Sequence, residues 1–126
     1  MSGAFVVHCH SGMGPAHYDL MLADGASLAT WRLPDPPGDL AKGGSMPAKR
    51  LAPHRTEYLD YEGPVSGGRG RVDVFDKGSC LRLAAGELCW RVRLDGRRLS
   101  GVYELRRNSA DSDRWTFSRA GEQARQ

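Results

Sequence analysis

Residues 16–25 read AHYDLMLADG, and along this stretch apolar and polar side chains alternate. In an extended chain, successive side chains point to opposite faces, so His17, Asp19 and Met21 share one face while Tyr and Leu side chains occupy the other. The Asp-Gly pair at 24–25 favours a tight hairpin turn with positive φ. The stretch therefore predicts a β-strand that carries an imidazole and a carboxylate side by side.

The same kind of pattern continues through most of the chain. Short runs rich in Val, Leu, Tyr, Trp and Phe lie between Gly, Pro, Asp and Asn turn signals, and helical periodicity is nearly absent. A second Asp-Gly pair at 95–96 predicts another tight hairpin, and the proline- and glycine-rich residues 34–50 are expected to form a loop. We predict an all-β, mainly antiparallel fold, a small β-barrel with short helical or irregular connections. The predicted strands lie near 4–10, 16–23, 27–33, 56–61, 70–76, 79–84, 88–94, 101–107 and 114–118.

Length and composition favour one folded domain. The chain has 126 residues, of which 40% are hydrophobic and 26% are charged. We expect residues 1–119 to form a single domain and residues 120–126 to form a disordered tail. Three cysteines without CxxC spacing, together with the lack of a long apolar run or a secretory pattern, predict a cytoplasmic protein without membrane contact. The net charge of +3 permits a nucleic-acid partner without requiring one.

The histidines are concentrated near the strand that carries Asp19. In FVVHCH, His8 and His10 share one face, and pairing of this strand with residues 16–25 through the SGMGP turn brings them beside His17 and Asp19. Each histidine taken alone fits an ordinary strand position, but their convergence favours a site. Two imidazoles and a carboxylate suit a divalent ion such as Mn²⁺ or Zn²⁺ and leave coordination positions for water or substrate. His8 is the weakest candidate of the four.

The fourth histidine lies in HRTEYLDYEG, residues 54–63. His54 and Tyr58 are candidates to place a hydrogen-bond donor and a hydroxyl over a substrate phosphate, with a core aromatic as the alternative interpretation of Tyr58. Basic residues in the surrounding loops are candidates to contact a nucleic-acid backbone, although such residues are more often simply solvated. They are Lys42, Lys49, Arg50, Arg55, Arg69 and Arg71.

Seven motifs follow one another along nearly the whole chain, from about Phe5 to Phe117: FVVHCH, HYDLML, TWRLP, HRTEYLDYEG, GRGRVDVFDKGS, LDGRRLSGVYELRR and RWTF. Their order resembles the 3′-phosphoesterase domain of bacterial DNA ligase D. That family is a small β-barrel enzyme that uses Mn²⁺ to trim 3′ ends during double-strand break repair. The resemblance implies removal of a 3′-phosphate and of 3′-terminal ribonucleotides by this chain.

The resemblance also implies roles for individual residues. His10, His17 and Asp19 match the family's ligands for Mn²⁺, with Zn²⁺ or another divalent metal as the alternative ion. His54 and Tyr58 match residues that act at the scissile phosphate. The implied partners are DNA or RNA 3′ ends and a DNA ligase or a Ku-type end-binding protein. The implied setting is a nucleoid-associated monomer in the bacterial cytoplasm.

One departure from the family pattern concerns the phosphate. The family has an arginine two residues after its aspartate, where this chain has Met21, and methionine cannot donate a hydrogen bond to a phosphate oxygen. Arg50, Arg55 and Arg32 are candidates to substitute for that arginine, and Arg69 at the rim of the glycine-rich stretch is a further candidate to bind substrate. Restoring the arginine at position 21 is expected to raise turnover if the pocket is otherwise competent.

Two other functions stay open. The missing arginine predicts, as the alternative, a catalytically weak or inactive metal-bearing module that binds nucleic acid. Alternatively, His17 and Asp19 with a distant His54 imitate the two-histidine, one-carboxylate iron site of non-haem oxygenases. The flanking motifs fit the phosphoesterase better than the oxygenase.

Overall fold

The computed structural model describes residues 2–121. These residues form nine β-strands and two short 3₁₀-helices. The strands are β1 (Ser2–Ser11), β2 (His17–Asp24), β3 (Ser27–Leu33), β4 (Ser45–Arg55), β5 (Gly63–Pro64), β6 (Arg71–Ala85), β7 (Cys89–Asp95), β8 (Ser100–Arg107) and β9 (Arg114–Arg119). The helices are η1 (Pro37–Asp39) and η2 (Thr56–Leu59).

Eight antiparallel strands close into a barrel. Their hydrogen-bonded order is β1-β2-β3-β4-β9-β8-β7-β6, and β6 pairs with β1 to complete the circle. The two-residue strand β5 lies beside β6. Closure leaves no long unpaired strand edge, which is the usual solution for a small all-β domain. The predicted all-β barrel with short helical connections is confirmed.

The interior of the barrel is filled by one large apolar cluster. Leu20 and Leu22 of β2 point into it and are 0% exposed. Trp31 of β3 packs edge-to-face against Trp90 and Trp115, with ring centroids 5.4 and 5.5 Å away. Because inward side chains occupy every second position, the intervening residues of these strands point outward. The polar residues of β1 and β2 are therefore on the outer surface of the barrel.

A smaller apolar cluster covers part of that outer surface. Val6, Met21 and Leu28, from β1, β2 and β3, are each at most 1% exposed. Tyr58 and Leu59 of η2 pack against them. The cluster thus holds η2 against the same outer surface that carries the polar residues of β1 and β2.

The predicted loop 34–50 is wrong in its second part, because β4 begins at Ser45. Met46 and Ala48 alternate into the barrel and are 9% and 5% exposed. Pro47 fits this strand because residues 45–48 of β4 pair with β9 but not with β3, so that its missing N–H leaves no ladder bond unmade. The glycines and prolines of the segment obscured a short apolar alternation.

Two further strand predictions are also wrong. The predicted strand 56–61 begins instead with the helix η2, in which the consecutive residues Tyr58 and Leu59 both pack on the outer cluster. A strand would send neighbouring side chains to opposite faces. The strands predicted at 70–76 and 79–84 are one strand, β6, which continues through Gly78. A Cβ at Gly78 would overlap the carbonyl oxygen of Asp95, so only glycine allows β7 to approach there.

Only one of the two predicted hairpins has the predicted turn. β2 and β3 are joined by a two-residue turn in which Gly25 has a φ of 62°. The connection from β7 to β8 is longer, residues 96–99, and Gly96 is not among the glycines with positive φ. The carboxylate of Asp76 on β6 instead accepts hydrogen bonds from the backbone N–H groups of residues 97, 98 and 99, at 3.0, 2.9 and 2.8 Å. A tertiary contact determines this loop.

The part of the chain that is described, residues 2–121, contains no helix with the length and apolar character needed to cross a bilayer. Most of the expected tail, residues 122–126, lies outside the described residues. The backbone N–H of Ala120 donates to the carbonyl oxygen of Val102 at 2.9 Å, which continues the chain past β9 along the barrel.

Candidate metal centre

The register between β1 and β2 brings four polar side chains together. His10 pairs directly with His17, and His8 pairs directly with Asp19. Residues that pair directly in an antiparallel ladder share a face of the sheet. The pairing expected from the sequence, through the SGMGP turn, is the pairing that the structure shows.

Three of these residues, His10, His17 and Asp19, form a compact cluster. One nitrogen or oxygen atom from each lies within 4.8 Å of the others. The two imidazole rings have centroids 4.7 Å apart, and His17 Nε2 is 3.7 Å from Asp19 Oδ2. Among residues 2–121 this is the only group of three such side chains close enough to share a metal ion.

The donor set fits a divalent ion. His17 Nε2 is buried and has no hydrogen-bond partner among the described residues, which is unusual for a buried polar atom and expected of a ligand atom. Burial lowers the pKa of His17 below its ordinary value and favours the neutral imidazole, the form that binds metals. Asp19, only 4% exposed, adds the single carboxylate. Two imidazoles and one carboxylate suit Mn²⁺ or Zn²⁺.

Neighbouring groups hold two of the three ligands in place. His10 Nε2 lies 2.6 Å from the carbonyl oxygen of Arg69, so that Nε2–H donates to this oxygen and Nδ1 keeps a free lone pair. Arg32 Nε donates to Asp19 Oδ1 at 3.3 Å, which leaves Oδ2 facing His17. Such partners of metal ligands fix their orientation before an ion binds.

The helix η2 places Tyr58 between two histidines. Its ring stands edge-to-face to His54 at 5.7 Å and to His8 at 6.3 Å. His54 Nδ1 is 3.0 Å from the carbonyl oxygen of Ala52, so Nδ1–H donates and Nε2 is the nitrogen left for a substrate. Tyr58 also packs on the outer apolar cluster, so the core interpretation and the site interpretation of this residue both have support.

His8 is a neighbour of the cluster rather than a member of it. It is 1% exposed, and its Nε2 has no hydrogen-bond partner among residues 2–121. Burial is the main cause of its lowered pKa, so the neutral ring is favoured here too. His8 therefore connects the two halves of the site, since it pairs with Asp19 across the strands and touches Tyr58 with its ring.

The oxygenase pattern is not assembled. Among the described residues, the third member of the cluster with His17 and Asp19 is His10. His54 lies outside this cluster. The reason is the register of β4, which pairs His54 with Leu28, near the start of β3. Asp19 pairs with Arg32 at the other end of that strand.

The predicted substrate-binding arginines are dispersed. Arg32 lies at the cluster with a side chain that is 42% exposed. Arg69 contributes its backbone carbonyl to His10, while its guanidinium donates to the carbonyl and hydroxyl oxygens of Ser66 at 2.7 and 3.1 Å. Arg55 is exposed and lines a small pocket together with Tyr58.

Arg50 lies on the other face of the sheet. It pairs directly with Trp31 and points with it into the barrel, where its guanidinium carbon is 4.4 Å from the centroid of the Trp31 ring. Burial lowers the pKa of Arg50, and its Nε has no partner among the described residues. The structure therefore does not bring Arg50 to the outer surface that carries Asp19.

Met21 lies on the outer face, two residues beyond Asp19, but it is not open to a substrate. It is 1% exposed and packs with Val6 and Leu28 beneath η2. At the position where the resembling family has its arginine, this chain thus has an apolar contact that holds η2 in place.

The site lies within a segment that matches a known protein family. Residues 7–107 match the model of the DNA ligase D 3′-phosphoesterase domain. The matched segment runs from β1 to the end of β8 and contains the cluster, η2 and all four predicted arginines. No curated protein matches the chain.

Proposed function

This chain belongs to the DNA ligase D 3′-phosphoesterase family, and we propose that it is a divalent-metal-dependent phosphoesterase that processes 3′ ends of nucleic acids in DNA repair. Its reactions would be removal of a 3′-phosphate and of 3′-terminal ribonucleotides. The observation that carries the proposal is the cluster of His10, His17 and Asp19 within the matched segment, with ligand atoms within 4.8 Å of one another. We propose Mn²⁺ as the ion, with Zn²⁺ as the alternative.

A bound divalent ion supplies positive charge for the phosphate oxygens and lowers the pKa of a water ligand. The chain's own contribution begins with preorganisation, since the Arg69 carbonyl orients His10 and Arg32 orients Asp19. Of the guanidinium donors of Arg32, only Nε–H is bonded to Asp19. The remaining N–H groups can therefore bind a phosphate oxygen. We assign to Arg32 the binding of the substrate phosphate, which Met21 cannot provide.

His54 and Tyr58 would act on the leaving group. The Nδ1–H of His54 donates to the Ala52 carbonyl, which leaves Nε2 as the nitrogen that would pass a proton to the departing oxygen. The edge-to-face contact with Tyr58 limits rotation of the His54 ring. The Tyr58 hydroxyl is then a second donor to the same phosphate.

The direct test uses the whole chain, Mn²⁺ and a primer-template that ends in a 3′-phosphate. We expect a 3′-hydroxyl product from the wild type, and loss of both product and Mn²⁺ binding, measured by calorimetry, in His17→Ala. Asp95→Asn, an exposed change on β7, serves as the control and should leave both properties intact. Absence of product from the wild type with every divalent metal tried would contradict the phosphoesterase proposal.

A second candidate is favoured by the burial of Met21. If the phosphate has too few donors, the protein is a metal-bearing module that binds nucleic-acid ends without turning them over. The same experiment, with binding of the 3′-phosphorylated end measured beside it, separates the two, because Mn²⁺ binding and end binding without product would identify the binding module.

A further inference from the structure

Four strands of the barrel contribute one residue each to a row that starts at the candidate metal centre. Asp19 on β2 pairs directly with Arg32 on β3, Arg32 with Lys49 on β4, and Lys49 with Arg114 on β9. Direct pairs share a face, so the row crosses the outer surface at right angles to the strands, at about 4.8 Å a step. The sequence neighbours of the three cations are buried inside the barrel: Trp31, Ala48 and Trp115.

The same row borders an open groove of about 730 Å³. Arg32, Lys49 and Arg114 line it, and so does His17 of the candidate metal centre. The groove and the metal centre are therefore continuous through His17 and Arg32. Its size is in the range of pockets that hold nucleotide-sized ligands. Apolar surface is contributed by Pro15, Pro34, Pro47 and Trp115.

Positive charge dominates this groove. Three cations line it, Arg32, Lys49 and Arg114, against one carboxylate in the lining, that of Asp113, while Arg32 also donates to Asp19 at the metal centre. Lys49 Nζ is 3.9 Å from Asp113 Oδ2, and the two side chains are 61% and 57% exposed. An exposed ion pair at that distance is weak, so a phosphate can displace it. The groove thus attracts a ligand with several negative charges that is long enough to extend from the metal centre.

We propose that this groove binds the phosphodiester backbone of the strand whose 3′ end lies at the metal centre, with Lys49 and Arg114 on backbone phosphates. The inference rests on the proposed function and adds the path of the strand, across β3, β4 and β9. The apolar side chains of the groove receive sugar and base. Contacts of this kind are independent of sequence, so the groove selects a strand by its charge.

The test measures binding in EDTA, which makes it independent of the metal and of turnover. Fluorescence anisotropy is recorded with a labelled single-stranded DNA oligonucleotide that ends in a 3′-phosphate, and with the RNA of the same sequence. Lys49→Ala and Arg114→Ala should each weaken binding about tenfold, the effect of losing one charged hydrogen bond. Each should also lower the salt dependence by about one counterion.

Arg93→Ala is the matched control. Arg93 is also an exposed arginine, but it lies on β7, which β9 and β8 separate from β4 in the barrel, so its loss should leave binding unchanged. Whichever oligonucleotide binds more tightly, the DNA or the RNA, is the type of strand that the groove prefers. If Lys49→Ala and Arg114→Ala bind both oligonucleotides as tightly as Arg93→Ala does, or if the wild type binds neither, the groove proposal is overturned.

The groove proposal and the phosphoesterase proposal can be contradicted independently of each other. Weaker oligonucleotide binding by the two variants, beside a wild type that releases no phosphate, supports the groove and contradicts the phosphoesterase. With an active wild type, the variants should raise the KM for the 3′-phosphorylated oligonucleotide without raising that for a nucleoside 3′-monophosphate. An equal rise for both substrates would overturn the groove, because a mononucleotide has no further backbone phosphate.

Discussion

The two faces of the β3–β4 ladder carry one arginine each, and the two arginines have different surroundings. Arg32 lies on the outer face, partly exposed, and donates to Asp19. Arg50 lies on the inner face, packs on Trp31, and has an Nε with no partner among the described residues. Only the outer arginine can reach a substrate at the candidate metal centre. For these two arginines, the face of the sheet decides which one can meet a ligand at the candidate metal centre.

The largest expected effect comes from adding an arginine to the outer face where the structure has no space for it. Met21→Arg would place an unpaired guanidinium among Val6, Leu28 and the residues of η2. Burying such a charge should lower the free energy of unfolding by about 3 kcal/mol, measured by urea denaturation. Turnover should fall with it, since η2 carries Tyr58. We therefore predict the opposite of the expectation, drawn from the sequence, that this change raises activity.

Met21→Leu is the control for that change, because it keeps the apolar contact and should cost less than about 1.5 kcal/mol. A Met21→Arg protein with wild-type stability and higher turnover would show that the side chain reaches the phosphate after all. The outer apolar cluster would then be looser than its burial indicates.

An intermediate effect is expected for the outer arginine itself. Arg32→Ala removes the group that orients Asp19 and should weaken Mn²⁺ binding about 10- to 100-fold, measured by calorimetry, as for other partners of metal ligands. The free energy of unfolding should also fall, by about 1 to 3 kcal/mol, because Asp19 is only 4% exposed and its carboxylate loses its charged partner. Arg32→Lys should restore metal binding only in part, since a lysine lacks the planar fork. Unchanged Mn²⁺ affinity in Arg32→Ala would remove this residue from the site.

The smallest effect is expected for the inner arginine. Arg50→Ala removes the guanidinium from the tryptophan rings and should lower the free energy of unfolding by about 1 kcal/mol. Turnover per folded molecule and Mn²⁺ affinity should stay at the wild-type values. A loss of turnover at unchanged stability would instead place Arg50 at the substrate, as predicted from the sequence. It would contradict the view that only the arginine on the outer face acts at the site.

The sequence alone was sufficient for the barrel class and for the core of the candidate site. The alternation in residues 17–22 reports which side chains share a face, because the side-chain period of a strand is two. The short SGMGP connection then makes pairing with FVVHCH the expected arrangement, and that pairing brings His10 to His17 and Asp19.

The tertiary structure alone decided which basic residues accompany that site. Arg32 joins it and Arg50 does not, because the register of β3 against β4 turns them to opposite faces, and a shift of β4 by one residue would place both on the same face. The row through Lys49 and Arg114 depends on two further ladders between strands far apart in sequence. Alternation is a local property of the chain, whereas register and closure depend on contacts among distant residues, which no single segment encodes.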